Sequence, residues 1–504
     1  MTELREPTAE NPAPDSGPAG HVGPMRAALR KLTGESLVYG LGQVSGRAVQ
    51  VLLVPILTRL LTPDVFGVAD LVQAYSAFAV LVLVFGMDGA LVRYFYREPD
   101  REARRRMVST VLVFRVAVSL LAALALASLA GPLSTGLMGS PSYRKYVLIG
   151  AATLPFTLLV LFANDVLRVT FQPWKFIALN LFQTVVTGGL SLWWVMHERM
   201  GVAGVLYGKL FGDLLTALAG LVFMRHSFTP RLDREVLGRM LRFGAPLVPA
   251  SLAYGIVSSA DRWFLRRAHG LADVGVYAVA LKFLTVVMMG VSAFSLAFFP
   301  FAHARAHDPQ AGRLYARVLA LYVAGASLLA LAVGLFAPEV LSVLVAPGYR
   351  AAAAPALLLT FAAVAYGAYY VACLGIQLAL KTSWLAVSAG AAAVAAVAAD
   401  ALLARPWGAT GVAAGTLIGN VVIAVTTYAM SQSVYPLPYR GKRLLALFAL
   451  AVGLAVLVHR LAPPGPPGLV ARFGALVVFG LAVWMLDVWR DRGAVKAAYR
   501  SGTR

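Results

Sequence analysis

The sequence predicts an all-α polytopic membrane protein of about fourteen transmembrane helices: two homologous six-helix lobes plus two C-terminal helices, with both termini cytoplasmic. Three observations carry that expectation. Hydrophobic residues make up 59% of the 504-residue chain and charged residues only 13%, against ~25% charge in a soluble domain. The apolar residues gather into runs of about 20 or more, the length that crosses a hydrocarbon core of ~30 Å. One glycine pattern also occurs twice, 207 residues apart.

Residues 1–33 are rich in Pro, Ala and Gly and poor in large apolar side chains. They read as a disordered cytoplasmic tail without the apolar stretch of a signal peptide. The first lobe is assigned to residues 34–225. It opens with two apolar spans between Ser36 and Tyr96, joined by the tight turn Thr62-Pro63-Asp64. A dense basic loop, Arg93 to Arg106, precedes spans near 107–131, 146–168, 175–197 and 201–224. A second basic segment, Arg225 to Arg242, leads into the second lobe, residues 226–432. Its spans lie near 243–261, 271–301, 318–337, 355–378, 383–404 and 408–431. Residues 433–490 supply two further spans, near 444–459 and 468–489, and 491–504 form a basic cytoplasmic tail. Alternating sides from a cytoplasmic N-terminus places roughly two thirds of the Lys and Arg in cytoplasmic segments, as the positive-inside rule requires. The net charge of +21 is then a topology signal and argues against nucleic acid as a partner.

The repeat supports the two lobes. Gly201 to Asp213 and Gly408 to Asn420 both read G-x-x-G-V-x-x-G-x-L-x-G-[D/N]. Close to the same offset, Asp64-Val-Phe-Gly-Val68 resembles Ala272-Asp-Val-Gly-Val276, setting Gly67 against Gly275. Small residues at four-residue spacing allow helices to approach closely in a membrane. Six helices per lobe is an even number, so the lobes run the same way through the bilayer.

Ionisable residues inside spans are the candidate functional groups, because each costs roughly 3 kcal/mol or more unless it meets water, a partner or a ligand. Arg47, in the first span, and Lys282, in the eighth, have no carboxylate within one turn of their own helix. Two such cations from different lobes point to an anionic ligand. Lys209 and Arg115 join them as candidates for a cationic cavity, although Lys209 and Asp213 stand one turn apart and can neutralise each other. Polar stripes at helical spacing give a candidate cavity lining. They comprise Gln43 and Gln50 beside Arg47, Asn180 and Gln183 in the fifth span, and Tyr366, Tyr370 and Gln377 in the tenth. Stripes of this kind also serve plain helix packing. Asp70 and Asp213 are the candidate carriers for H+ or Na+ coupling.

Enzymatic constellations are missing. There is no phosphate-binding G-x-x-x-x-G-K-[ST]. Of the seven histidines only His303 and His307 stand at ligand spacing, in a basic loop and without H-E-x-x-H. The single Cys373 excludes a disulfide framework. No metal or organic cofactor is expected, and no enzymatic activity.

Two stretches resemble a known family. GLGQVSGRAVQVLLVPILTRLLTPDVFGVADLV, followed by Met87-Asp88-Gly89 and ALVRYFY, is similar to the opening of the Wzx-type polysaccharide (O-antigen) flippases. FGAPLVPASLAYGIVSSADRWFL with LADVGVYAVALKF resembles that family's second-lobe opening. The resemblance spans about residues 30–490, mostly by hydropathy outside these stretches. It implies alternating access to a central cationic cavity and transfer of a lipid-linked oligosaccharide, of undecaprenyl-diphosphate type, from the cytoplasmic to the outer leaflet of a bacterial inner membrane. Arg47 matches the arginine of the family's first helix. Lys282 matches the lysine that follows Gly275-Val276-Tyr277, whereas Lys209 has no counterpart. The implied partners are the lipid-linked glycan, membrane lipids, and glycan polymerase and chain-length machinery serving lipopolysaccharide or exopolysaccharide synthesis. The two helices after residue 440 are expected to guide the lipid tail. A peptidoglycan lipid-precursor flippase is the closest alternative, distinguished by rescue of a strain depleted of that activity. A cation-coupled drug antiporter would need an acidic cavity, and a glycan polymerase or ligase a larger outer loop.

Overall fold

The computed structural model describes residues 51–229, 232–245, 248–304, 311–379, 381, 383–462 and 466–485. Among them every regular element is a helix. The last turns of the first predicted span form α1 (Val51–Leu60). The turn at Thr62 passes the chain to α2 (Pro63–Leu83), which starts on a proline, where the missing N–H leaves no hydrogen bond unmade. Phe85 and Gly86 take left-handed backbone angles and begin the short α3 (Met87–Phe95). Asp100 caps α4 (Arg101–Ser128) by accepting from the backbone N–H of Ala103 at 3.0 Å and of Glu102 at 3.2 Å. Those two N–H groups hold its carboxyl below the usual range. The remaining helices of this half are α5 (Ala130–Met138), α6 (Arg144–Val169), α7 (Pro173–Met196) and α8 (Val202–Phe223).

The linker to the second half contains α9 (Arg234–Gly244). After it come α10 (Val248–His269), α11 (Leu271–Ala304), α12 (Ala311–Leu335), α13 (Ala337–Leu344), α14 (Ala353–Ala372) and α15 (Leu374–Leu378). Then follow α16 (Ser383–Val434), α17 (Gly441–Leu461) and α18 (Pro466–Met485). Eleven helical segments among the described residues are long and apolar enough to cross a membrane. One of them, α16, is two spans merged across a kink at Gly408.

That kink is where the repeat becomes geometry. Gly201 has φ 54 and ψ −123, and Gly408 has φ 51 and ψ −131. This is a conformation that only glycine adopts easily, and it recurs at equivalent places in both halves. Each glycine turns a helical hairpin. The glycines that follow then let the returning helix lie against its predecessor, Gly208 on Ser191 and Gly415 on Asp400.

Packing sorts most helices into two bundles. α4, α6, α7 and α8 form the first, and α10, α11, α12, α14 and α16 the second, with α17 on α12 and α14. α2 bridges them, packing against α10 and α11 as well as α6 and α8. The repeat-related Gly67 and Gly275 meet at this crossing. A Cβ on Gly67 would fall on the carbonyl oxygen of Leu271, and a Cβ on Gly275 on that of Pro63. The helix starts therefore touch backbone to backbone across a local pseudo-twofold axis, at the end assigned to the outside by the Lys and Arg distribution. A second contact closes the same end. Tyr349, in the 3-10 turn Pro347–Ala352, is fully buried and donates from Oη to the Leu61 carbonyl at 2.9 Å.

Two boundaries differ from the sequence expectation. The segment read as a basic loop of the second lobe carries α9, which packs on α3 and α4 of the first bundle. Its Val236, Met240 and Gly244 recur every four residues on one buried face. The seventh span, expected to stop near 261, continues as α10 to His269. Asp261 and Arg262 interrupt the apolar run, but they are paired inside the protein.

Candidate functional site

Those paired charges form a cluster between the bundles. Arg262 lies seven residues from the end of α10, Asp70 seven from the start of α2, and Lys282 eleven from the start of α11. At 1.5 Å per residue they sit ~10–17 Å below the helix ends, towards the middle of a ~30 Å core. Arg262 Nε donates to Asp70 Oδ2 at 3.0 Å, bridging second bundle to first. Its Nη1 donates to both carboxylate oxygens of Asp261, at 3.0 and 3.1 Å. The guanidinium also lies 5.9 Å from the centroid of the Tyr277 ring. Tyr277 Oη in turn donates to Asp261 Oδ2 at 2.9 Å and meets Thr416 Oγ1 at 3.2 Å. These contacts satisfy most of the polar atoms of Asp261 and lock α10, α11 and α16 together.

Two groups in the cluster are left open. Lys282 lies within electrostatic reach of Asp70 and Arg262, yet no hydrogen bond or ion pair to it occurs among the described residues. Asp400, on α16, is 3% exposed, feels the Asp261 charge, and has an Oδ1 with no hydrogen-bond partner. The described cluster is thus mixed in charge: Arg262 and Lys282 against Asp70, Asp261 and Asp400. The expected cations of the cavity are joined here by two acids that the sequence reading did not single out, Asp261 on α10 and Asp400 on α16.

Other predicted residues belong to a polar network inside the first bundle. Asp213 is wholly buried. It accepts from Lys209 Nζ at 2.7 Å, Thr157 Oγ1 at 2.5 Å and Gln183 Nε2 at 2.9 Å. Lys209 is therefore neutralised by its own helix, and Asp213 is engaged by three donors. Arg115 is 1% exposed and pairs with Asp165 Oδ2 at 2.9 Å; Asp165 also takes Arg168 at 2.5 Å. This places Arg115 in the packing between α4 and α6. Asn180 donates to Asn164 Oδ1 at 2.9 Å. In the second bundle Tyr366, Tyr369 and Tyr370 form an aromatic cluster, and Gln377 donates to Cys373 Sγ at 3.4 Å. Gln43, Arg47 and Gln50 lie outside the described residues. Among the described residues no three acidic, histidine or cysteine side chains converge on a metal position.

Sequence reasoning missed Asp261, Arg262, Tyr277, Asp400 and Asp165. Asp400 stood out in the same way as Arg47, as a lone charge in the alanine and valine run AAAVAAVAAD. Asp261-Arg262 was hidden by ending the seventh span at the first of them.

The model of a family described as polysaccharide biosynthesis protein matches residues 56–353. The chain is 23% identical over 281 residues to Lsg locus putative protein 1 of Haemophilus influenzae, covering 54% of this chain and 66% of that one. It is 26% identical over 245 residues to the succinoglycan biosynthesis transport protein ExoT of Rhizobium meliloti, covering 46% of each. The matches thus span just under two thirds of the first relative and under half of the second. Among solved structures, the lipid II flippase MurJ in an inward closed conformation superposes with a TM-score of 0.70 at 11% identity, covering 90% of this chain and 100% of that one. The Vibrio cholerae MATE transporter VcmN in the bent form gives 0.53 at 17% identity, covering 82% and 97%. At such identities the likeness is one of fold.

Proposed function

From the premise that the chain belongs to the polysaccharide biosynthesis protein family, we propose that it is a flippase of a bacterial inner membrane. Its cargo is a lipid-linked oligosaccharide of undecaprenyl-diphosphate type, carried from the cytoplasmic to the outer leaflet by alternating access. The observation that carries this reading is Lys282. An ammonium group without an ion-pair partner among the described residues, deep in a span and at the junction of the bundles, is expensive unless an anion visits it. Arg262 is held by Asp70 and Asp261, so among the described residues of the cluster Lys282 is the cation left to take a diphosphate. Arg47 is the further cation of this reading. The outer contacts of Gly67, Gly275 and Tyr349 keep the outer end shut while the head group is taken up from the other side. The transported glycan then passes to polymerase and chain-length machinery, and no covalent step is assigned to this protein.

Coupling to H+ or Na+ is part of the proposal, and within it Asp400 joins Asp70 and Asp213 as a candidate carrier. Two buried carboxylates within reach of each other cannot both stay charged cheaply. A proton or a small cation at the open Oδ1 of Asp400 relieves that repulsion.

The test is transport of a fluorescent lipid-diphosphate glycan in proteoliposomes. Lys282→Ala should lower the rate about tenfold to a hundredfold, equivalent to the ~1.5–3 kcal/mol of a charged hydrogen bond. Lys282→Arg should retain most of it. Equal rates for wild type and Lys282→Ala would remove the cation from the mechanism.

A further inference from the structure

We propose that an apolar groove between α2, α4, α5, α6 and α10 holds the hydrocarbon chain of the lipid-linked substrate, with Tyr75 and Arg266 receiving the oxygen-rich start of its head group. This inference rests on the transport reading above and adds the place of the lipid tail. The groove has a volume of about 710 Å³ and carries Phe78, Leu126, Leu154, Ile256 and Trp263 on its walls. It follows α2 from Val72 to Leu83, ~16 Å of helix at 1.5 Å per residue. That is about half the depth of a ~30 Å core, a shape that suits a long chain better than a compact ligand.

Apolar walls alone would describe any lipid-facing cleft. One polar atom on its wall and one beside it set this groove apart. Among the described residues, Tyr75 Oη and Arg266 Nε are both buried and without a hydrogen-bond partner, while Arg266 Nη2 donates to the Gly136 carbonyl at 3.3 Å. Tyr75 lines the groove, within electrostatic reach of Arg266 and Arg262. An unmade hydrogen bond at a buried donor is costly, and bulk acyl chains carry no acceptor to meet it at this depth. The phosphate oxygens of a lipid diphosphate do. The groove also runs close to the charged cluster, since Tyr75 on its wall lies within electrostatic reach of Arg262 and Asp261. Ser259 and Trp263 line it from α10, within one helical turn of Arg262, so a chain seated there brings its head group towards the cluster. The cavity beneath α17, where the tail was expected from sequence, is smaller, about 270 Å³.

Photolabelling of the full chain in proteoliposomes tests this, using a diazirine-bearing polyprenyl diphosphate as probe and peptide mapping as readout. Label on α2, α4 and α10 is expected. It should be displaced by unlabelled polyprenyl diphosphate and not by phosphatidylglycerol. It should also fall severalfold in Ala125→Trp, which fills the groove from an exposed position, and in Tyr75→Phe. Displaceable label confined to α17 and α18 would overturn the groove and leave the transport reading standing. Label in the groove displaced equally by phosphatidylglycerol would overturn the assignment in favour of bulk lipid. If no label anywhere is displaced by polyprenyl diphosphate, the groove and the transport reading fall together.

Discussion

Asp400 and Arg115 are both buried ionisable side chains, and their surroundings give them opposite characters. Asp400 keeps an unpartnered oxygen beside Asp261, so its occupancy can change. Asp400→Asn should abolish stimulation of transport by an imposed H+ or Na+ gradient while the probe lipid still binds. Gradient-driven transport at the wild-type rate would exclude Asp400 as carrier. Arg115 is instead held by Asp165, over the Phe162 ring at 5.5 Å. Removing its partner in Asp165→Leu leaves a buried guanidinium and should cost ~3–5 kcal/mol. The double variant Arg115→Met/Asp165→Leu should recover most of that loss in thermal unfolding in detergent. A single variant as stable as wild type would show that the pair carries no structural weight.

At the scale of elements, the two hairpin glycines offer an internal comparison. Gly201 and Gly408 share one backbone conformation, but a Cβ on Gly201 meets only Val65 at 3.8 Å, whereas on Gly408 it meets Asp273 Oδ2 at 2.8 Å. Both alanine variants suffer backbone strain of ~1–3 kcal/mol. Gly408→Ala should therefore lower the melting temperature more than Gly201→Ala, and the reverse order would contradict the packing described for α16. The helices themselves were legible beforehand, because an apolar run of spanning length is a local property of the chain. α9 was not legible as part of the first bundle. Its arginines dominate the composition of that stretch, while the face that docks consists of only Val236, Met240 and Gly244.

For the whole molecule, the crossing of α2 and α11 is the contact expected to change during transport. Gly67→Ala and Gly275→Ala each place a methyl on a carbonyl oxygen of the facing helix, so the outer ends must separate. Arg59 Nη2 reaches the Val343 carbonyl at 2.8 Å across the same end. A short bismaleimide should thus join Arg59→Cys to Val343→Cys efficiently in a Cys373→Ala background. Adding Gly67→Ala should reduce that cross-link severalfold; an unchanged yield would mean that the glycine contact does not gate the outer end. The chain alone was enough for the class of protein, the spans and the internal repeat. Each of these follows from how far a residue stands along an apolar run, which the chain states directly. Only the tertiary structure decided which charges answer one another. Asp70 with Arg262 joins residues 192 apart, Arg115 with Asp165 joins two different helices, and Tyr277 reaches Asp261 and Thr416 at once. The energy of a buried charge depends on its neighbours in space, and those neighbours exist only once the bundles have packed.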